Sequence, residues 1–321
     1  LDLVTHILRS ALHDWLNKGE IRTYFHGELT LSHILIIGCG GIGKHVASLY
    51  QQQSSKVYAL SHSKENQQAL AAHDINVLAG NLDEPDTLPP LPSKAALVYY
   101  FAPPPSEGVT DEWARNFIQA VGEEYPARLV YISTTGVYGD QQGGWVDENT
   151  PVNPQTDRSR RRLDAEQAFR AWGKQHEISV VILRVAGIYG PNRLPIDAVI
   201  QGRPVVRAVE APMSNRIHSE DLAHICVAAM EKGKAGAIYN VCDGQESTMS
   251  HYFNAIADQM NVPRPPEISW AEAQGTLSPA MLSYLAESRR VDNSKMMEEL
   301  EITLLYPTLE EGLPNCFEQS D

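Results

Sequence analysis

The sequence predicts an α/β fold: a doubly wound parallel sheet with a smaller C-terminal α/β lobe that shapes a substrate cleft. Three observations carry that prediction. Six short apolar runs, at 34–38, 56–60, 75–79, 96–101, 128–133 and 178–185, read as strands separated by helix-sized intervals. Their alternation with helix-sized intervals implies a parallel sheet covered on both faces. The first run, Ile34-Leu-Ile-Ile, passes directly into Gly38-Cys-Gly-Gly-Ile-Gly43, a strand, a glycine turn and a helix start. Beyond about residue 185 the regular alternation stops, and Pro191 to Pro212 suggests extended loops that cover the sheet's carboxyl edge.

Within residues 1–29, Val4, Ile7, Leu8, Leu12, Trp15 and Leu16 recur at helical intervals and form one apolar face. That face either docks on the parent domain or makes a subunit contact, as in a homodimer. Residues 30–185 form the expected dinucleotide-binding domain of Rossmann-like type, with helices at 42–52, 64–72, 110–124 and 159–175 and Gly173 marking the end of the last. Residues 186–321 form the cleft region, with a helix at 219–231, a strand at 237–242, a helix at 249–260 and a turn at 263–266. Some of these segments are expected to return to the main sheet.

The glycine turn carries the first chemical expectation. Gly38 permits a tight turn after the strand, Gly40 lets backbone approach a pyrophosphate, and Gly43 lets helix and strand pack closely. Gly41 and Ile42 then present backbone N–H groups at the helix N-terminus, where an anion is favoured. A purely structural turn also uses glycine; the following strand at 56–60 supplies the βαβ context that favours the dinucleotide. At the end of that second strand the chain reads Ser61-His62-Ser63-Lys64, with no acid to hold ribose hydroxyls. These side chains suit a ribose 2′-phosphate, so NADP is preferred and NAD is the alternative; a solvated turn is the bland reading. Phe101, Ala102 and Pro103 end the fourth strand as a preformed apolar wall or as a rigid surface turn.

The net charge of −14 and a pI near 5.2 argue against a broad nucleic-acid or membrane surface, while leaving room for a local basic pocket. Cys39, Cys226, Cys242 and Cys316 have neither zinc-ligand spacing nor a disulfide framework, so buried thiols and no metal are expected. No run reaches the roughly 20 apolar residues that span a bilayer, and the expected setting is cytoplasmic.

Several ordered motifs extend the reading: Leu129-Val-Tyr-Ile-Ser-Thr-Thr-Gly-Val-Tyr-Gly139, Leu183-Arg-Val-Ala-Gly-Ile-Tyr-Gly-Pro191, Asn215-Arg-Ile-His-Ser-Glu-Asp-Leu222 and Val291-Asp-Asn-Ser-Lys295. With the glycine turn, they make the chain resemble the extended short-chain dehydrogenase/reductases of the NAD-dependent epimerase/dehydratase superfamily, over about residues 31–314. The resemblance implies that Thr134, after the fifth strand, polarises a substrate oxygen. It also implies a Tyr-x-x-x-Lys pair at the start of the 159–175 helix, and there the chain carries Arg158 and Arg162. Arginine holds anionic oxygens but is a poor proton shuttle, because its pKa is too high. Tyr138 and Tyr189 are substitute acids if not simply packed with one hydroxyl hydrogen bond, and Tyr131, within the strand, is less so.

The resemblance further implies that Asp83 approaches the adenine edge, unless it caps the Glu84-Pro85 turn, and it turns Arg216 toward a phosphorylated substrate; Arg207 is a second anion-binding candidate. His218 and Asp221 either act in the cleft or stabilise the entry to the 219–231 helix, with Ser219 as its cap. The resulting expectation is an atypical NADP-dependent oxidoreductase or epimerase acting on a small polar, phosphorylated or nucleotide-linked substrate. The alternative is a noncatalytic NAD(P)-binding regulatory protein.

Overall fold

The computed structural model describes residues 22–25, 28–31 and 33–318. The apolar face expected from Val4 to Leu16 lies outside the described residues. Arg22–Phe25 and Glu28–Leu31 form an antiparallel hairpin.

Seven strands build one wholly parallel sheet: β1 (Ile34–Ile37), β2 (Val57–Ser61), β3 (Asn76–Ala79), β4 (Leu97–Tyr100), β5 (Arg128–Thr134), β6 (Ser179–Val185) and β7 (Ile238–Val241). Their spatial order is β3-β2-β1-β4-β5-β6-β7. The chain therefore leaves β1 in one direction and returns at β4 in the other. That reversal opens a crevice outside the carboxyl ends of β1 and β4, where ligands of doubly wound sheets bind.

Strand alternation divides the core in two. Ile34 and Ile36 of β1 face α1 (Gly41–Gln52) and a later helix, α5 (Ser219–Lys232), through Val46, Tyr50, Leu222 and Ile225. Leu35 and Ile37 face α3 (Glu112–Val121) and α4 (Asp157–Gln175) through Phe117, Phe169 and Trp172. The short α2 (Lys64–Ala71) joins β2 to β3. After β6, Gly187–Tyr189 pairs in parallel with Arg216–His218, and α5 then leads into β7. The remaining lobe holds α6 (Met249–Gln259), α7 (Trp270–Thr276), α8 (Pro279–Leu285) and α9 (Leu309–Glu318), around a core that includes Tyr189, Val205, Phe253, Ile256 and Leu313. All four cysteines are buried and unpaired.

Gly173 corrects the sequence reading. It lies inside α4, which continues to Gln175, and a Cβ there would stand 2.6 Å from Val180 Cγ2 and 2.9 Å from the Ile178 carbonyl oxygen. The glycine is required by helix–strand packing and does not end the helix. Alanine would ordinarily stabilise a helix interior by up to about 1 kcal/mol relative to glycine. Gly173→Ala is instead expected to destabilise the protein by about 1–3 kcal/mol through overpacking, read as a lower urea midpoint. An unchanged or higher midpoint would contradict this account of the α4–β6 contact.

Candidate functional site

Each glycine of the turn after β1 has a distinct physical task. Gly38 adopts φ +86°, and a Cβ on it would lie 2.4 Å from the Ala102 amide nitrogen. Only glycine meets both demands. Gly40 has open space where a side chain would project, whereas at Gly43 a Cβ would press on Cys39 Sγ, the Gly38 carbonyl and Ile36 Cγ2 at 3.2–3.3 Å. Gly38 and Gly43 are thus held by close packing against the core, whereas Gly40 and Gly41 are exposed and at Gly41 only the Arg193 side chain comes near. The buried Ile42 roots the first turn of α1 in the core. That turn has no side-chain cap and no acid, so its N–H groups and the positive end of the helix dipole face the crevice. These features fit a dinucleotide pyrophosphate.

The turn after β2 is tied to the glycine loop by Asn66, a residue the sequence reading missed. Its Nδ2 donates to the Cys39 carbonyl at 3.3 Å and to Ser61 Oγ at 3.1 Å, while its backbone N–H donates to Ser63 Oγ at 3.2 Å. Both serine hydroxyls therefore act as acceptors here and keep their protons free to donate. His62 and Lys64 flank them and are exposed. Asp83 is partly engaged, since its Oδ1 accepts from Trp113 Nε1 at 2.9 Å. At the end of β4, Phe101 packs on Tyr99, Ala102 is buried beneath Gly38, and Pro103 is exposed.

Thr134 ends β5, with its Oγ1 accepting the Gly136 N–H at 3.1 Å, so its hydroxyl proton is also free to donate. The tyrosines considered as substitute acids are committed elsewhere. Tyr138 is fully buried and its hydroxyl donates to Asn240 Oδ1 at 2.7 Å, while burial raises its pKa. This corrects its expected catalytic place: the phenol is held inside the protein. Tyr131 and Tyr189 are likewise buried, with hydroxyls bonded to Arg162 and to the Thr308 carbonyl.

The start of α4 gives the most informative arrangement. Asp157, Asp164 and Glu166, the acids near Arg158 and Arg162 in sequence, are paired with Arg160 at 2.6 Å, Arg115 at 2.5 Å and Arg184 at 2.8 Å. Neither Arg158 nor Arg162 has a carboxylate partner among the described residues. Arg162 Nη1 donates to the carbonyl of Ile132 at 2.9 Å and reaches that of Ala102 at 3.4 Å, so it bridges the ends of β5 and β4. Arg158 crosses to the C-terminal lobe: it stacks over Tyr284 at 3.9 Å and donates to Ser283 Oγ at 3.2 Å. Its guanidinium thus meets only neutral groups.

Arg216 is also buried without a carboxylate in contact. It lies 3.7 Å from the Tyr252 ring, its Nη2 touches Met249 Sδ at 3.4 Å, and its Nε lacks a partner. Met249 also lines an apolar cavity of about 360 Å³ with Val205, Val206, Phe253, Leu277 and Met281. Arg207 differs: it is on the surface between Glu210 at 3.5 Å and Glu272 at 3.9 Å, where its charge is already compensated.

His218 and Asp221 are structural. His218, not Ser219, caps α5 by accepting the Glu220 N–H at Nδ1, and its ring is fully buried beside Tyr306, Tyr189 and Cys316. Asp221 accepts the N–H groups of Leu305 and Tyr306. Burial depresses the His218 pKa from 6.5 to about 4. An unfolded chain protonates this ring near pH 6.5, so its contribution to stability is complete above that pH and is lost as the pH falls toward 4. His218→Asn keeps a capping acceptor and is expected to remove a slope worth up to about 3 kcal/mol across that window. Urea titrations at pH 7 and 4.5 measure it, and the same pH dependence in both proteins would contradict the assignment.

Comparison with known proteins agrees with this geometry. The chain is 27% identical to Protein YeeZ of Escherichia coli K12 over 293 residues, covering 86% of this chain and 97% of that protein. The structure of a functionally unknown conserved protein from Silicibacter pomeroyi matches with a TM-score of 0.73 at 28% identity, over 89% of this chain and 98% of the other. The dTDP-glucose 4,6-dehydratase of Bacillus anthracis, in complex with NAD, shares the fold with a TM-score of 0.69 at 19% identity, over 88% and 94% of the two chains. The family model described as NAD dependent epimerase/dehydratase matches residues 34–242, and with the strand order and glycine geometry it shows that the chain belongs to the NAD-dependent epimerase/dehydratase family.

Proposed function

We propose that the protein binds NADP along the carboxyl edge of its sheet and acts as an oxidoreductase or epimerase on an anionic, nucleotide-linked substrate. The observation that carries the substrate class is that, among the described residues, neither Arg158 nor Arg162 is ion-paired where the family resemblance places tyrosine and lysine. A guanidinium held against neutral groups retains its affinity for a phosphate or carboxylate. Arg216 and the neighbouring apolar cavity offer a second charge and a surface for a flat ring.

The preference for NADP rests on the β2 turn. Ser61 and Ser63 keep donor protons beside Lys64, and Ser61 occupies the position where an acid would favour unphosphorylated ribose. Bound NADP would supply the hydride acceptor or donor. Thr134 donates to the reacting substrate oxygen, and Arg158 stabilises negative charge gathered nearby. The accompanying proton exchanges with water, since the Tyr131, Tyr138 and Tyr189 phenols are fully buried.

Those buried phenols also favour a second reading, a nucleotide-responsive binding protein without turnover. Absorbance at 340 nm with NADP(H), screened over sugar nucleotides and small carbonyl compounds and joined to product analysis for internal epimerisation, separates the two. Turnover that falls at least tenfold in Arg158→Met while NADP affinity is kept supports the enzyme; NADP binding with no turnover selects the binding protein. Isothermal titration is expected to show tighter binding of NADP than NAD, with Lys64→Glu lowering the preference about tenfold, or about 1.4 kcal/mol. An equal or stronger affinity for NAD would overturn the cofactor preference.

A further inference from the structure

Arg193 lies on the far side of the crevice from the sheet, in the turn that follows Gly187–Tyr189. Its Nη2 is 2.9 Å from where a Cβ on Gly41 would stand, with Cζ at 3.7 Å and Nε at 3.8 Å. It therefore covers the first turn of α1. Two positive elements converge there, because that turn carries no acid and no side-chain cap. Among the described residues no carboxylate pairs with Arg193. A cation beside the positive end of a helix dipole is unfavourable unless an anion lies against both.

The local sequence fixes this placement. In Gly190-Pro191-Asn192-Arg193 the Arg193 N–H donates to the Gly190 carbonyl at 3.1 Å, and Asn192 has φ +61°. Proline at the second position and a left-handed asparagine at the third are the signature of a type II turn. Gly190 abuts Ser219 at the start of α5 so closely that no side chain fits. The turn is thereby anchored to a helix of the main core, and Arg193 is carried back over the glycine loop.

We propose that Arg193 clamps the pyrophosphate of the bound dinucleotide from the C-terminal lobe, opposite the backbone N–H groups of Gly41 and Ile42. The assignment rests on the cofactor reading above and adds to it a residue outside the glycine motif. In a chain of net charge −14, Lys64 and Arg193 then supply local positive charge at the two phosphate-bearing parts of NADP. The clamp also joins the cofactor to the turn that precedes the cleft-forming loops, so cofactor occupation orders the approach to the cleft.

Titration of the full chain with NADP and with adenosine 2′-monophosphate tests the inference, since the second ligand has the 2′-phosphate but no pyrophosphate. Arg193→Met is expected to weaken NADP about tenfold, to leave adenosine 2′-monophosphate unchanged and to retain the wild-type melting temperature, while Arg193→Lys recovers part of the loss. Unchanged NADP affinity in Arg193→Met, or equal weakening of both ligands, overturns the clamp while the cofactor reading stands. Failure of the wild-type protein to bind NADP overturns both, and that result is read before any variant is made.

Discussion

The approach of Gly38 to Ala102 is the constraint on which the site depends. β1 and β4 are hydrogen-bonded neighbours, and the Phe101 N–H continues their ladder onto the Ile37 carbonyl at 2.7 Å. The chain must leave β1 upward and turn into α1 within a few residues, directly against the exit of β4. A side chain at position 38 would fall 2.4 Å from backbone and would also have to accept φ +86°. Either demand would push the two exits apart and rotate α1 away from the crevice. The orientation of the α1 N-terminus and the open face of Gly40 follow from this one contact, and Arg193 is brought to Gly41 separately, by its own turn anchored at Ser219.

Beneath the cleft, a second interaction keeps the floor in register. Glu166 of α4 takes both Arg184 of β6, through two nitrogens, and the Ser133 hydroxyl of β5. Arg184 lies over the Tyr138 ring, whose hydroxyl reaches Asn240 of β7. A buried ion pair of this kind brings little net stability, because desolvation offsets the attraction, but breaking one partner leaves an uncompensated charge. Its consequence here is positional: the network holds three strands and one helix, and it commits the Glu166 carboxylate to Arg184.

The strands, the turn at Gly38 and the close packing at Gly43 were legible in the sequence because they obey local rules. Buried parallel strands are apolar along their length, and a turn that needs positive φ or close approach selects glycine whatever surrounds it. Gly173 misled because the same residue type answers two demands, ending a helix or admitting a neighbour, and only the position of Val180 decides between them. Tyr138 and Asn66 were illegible for a related reason: their partners, Asn240 and Cys39, are distant in sequence. Arg193 did leave a signal. The Gly-Pro-Asn turn before it fixes a direction, although its target, Gly41, emerges only once the C-terminal lobe folds back over the sheet.

The central claim is that a dinucleotide lies between the glycine loop and the β2 turn. Amide hydrogen exchange with and without saturating NADP tests it most directly, because it reads the backbone N–H groups that would hold the phosphates. The account predicts slowed exchange at residues 38–44 and 61–66, with smaller protection around 190–194. Saturating NADP that leaves 38–44 unprotected, or protects only a distant surface, would contradict it.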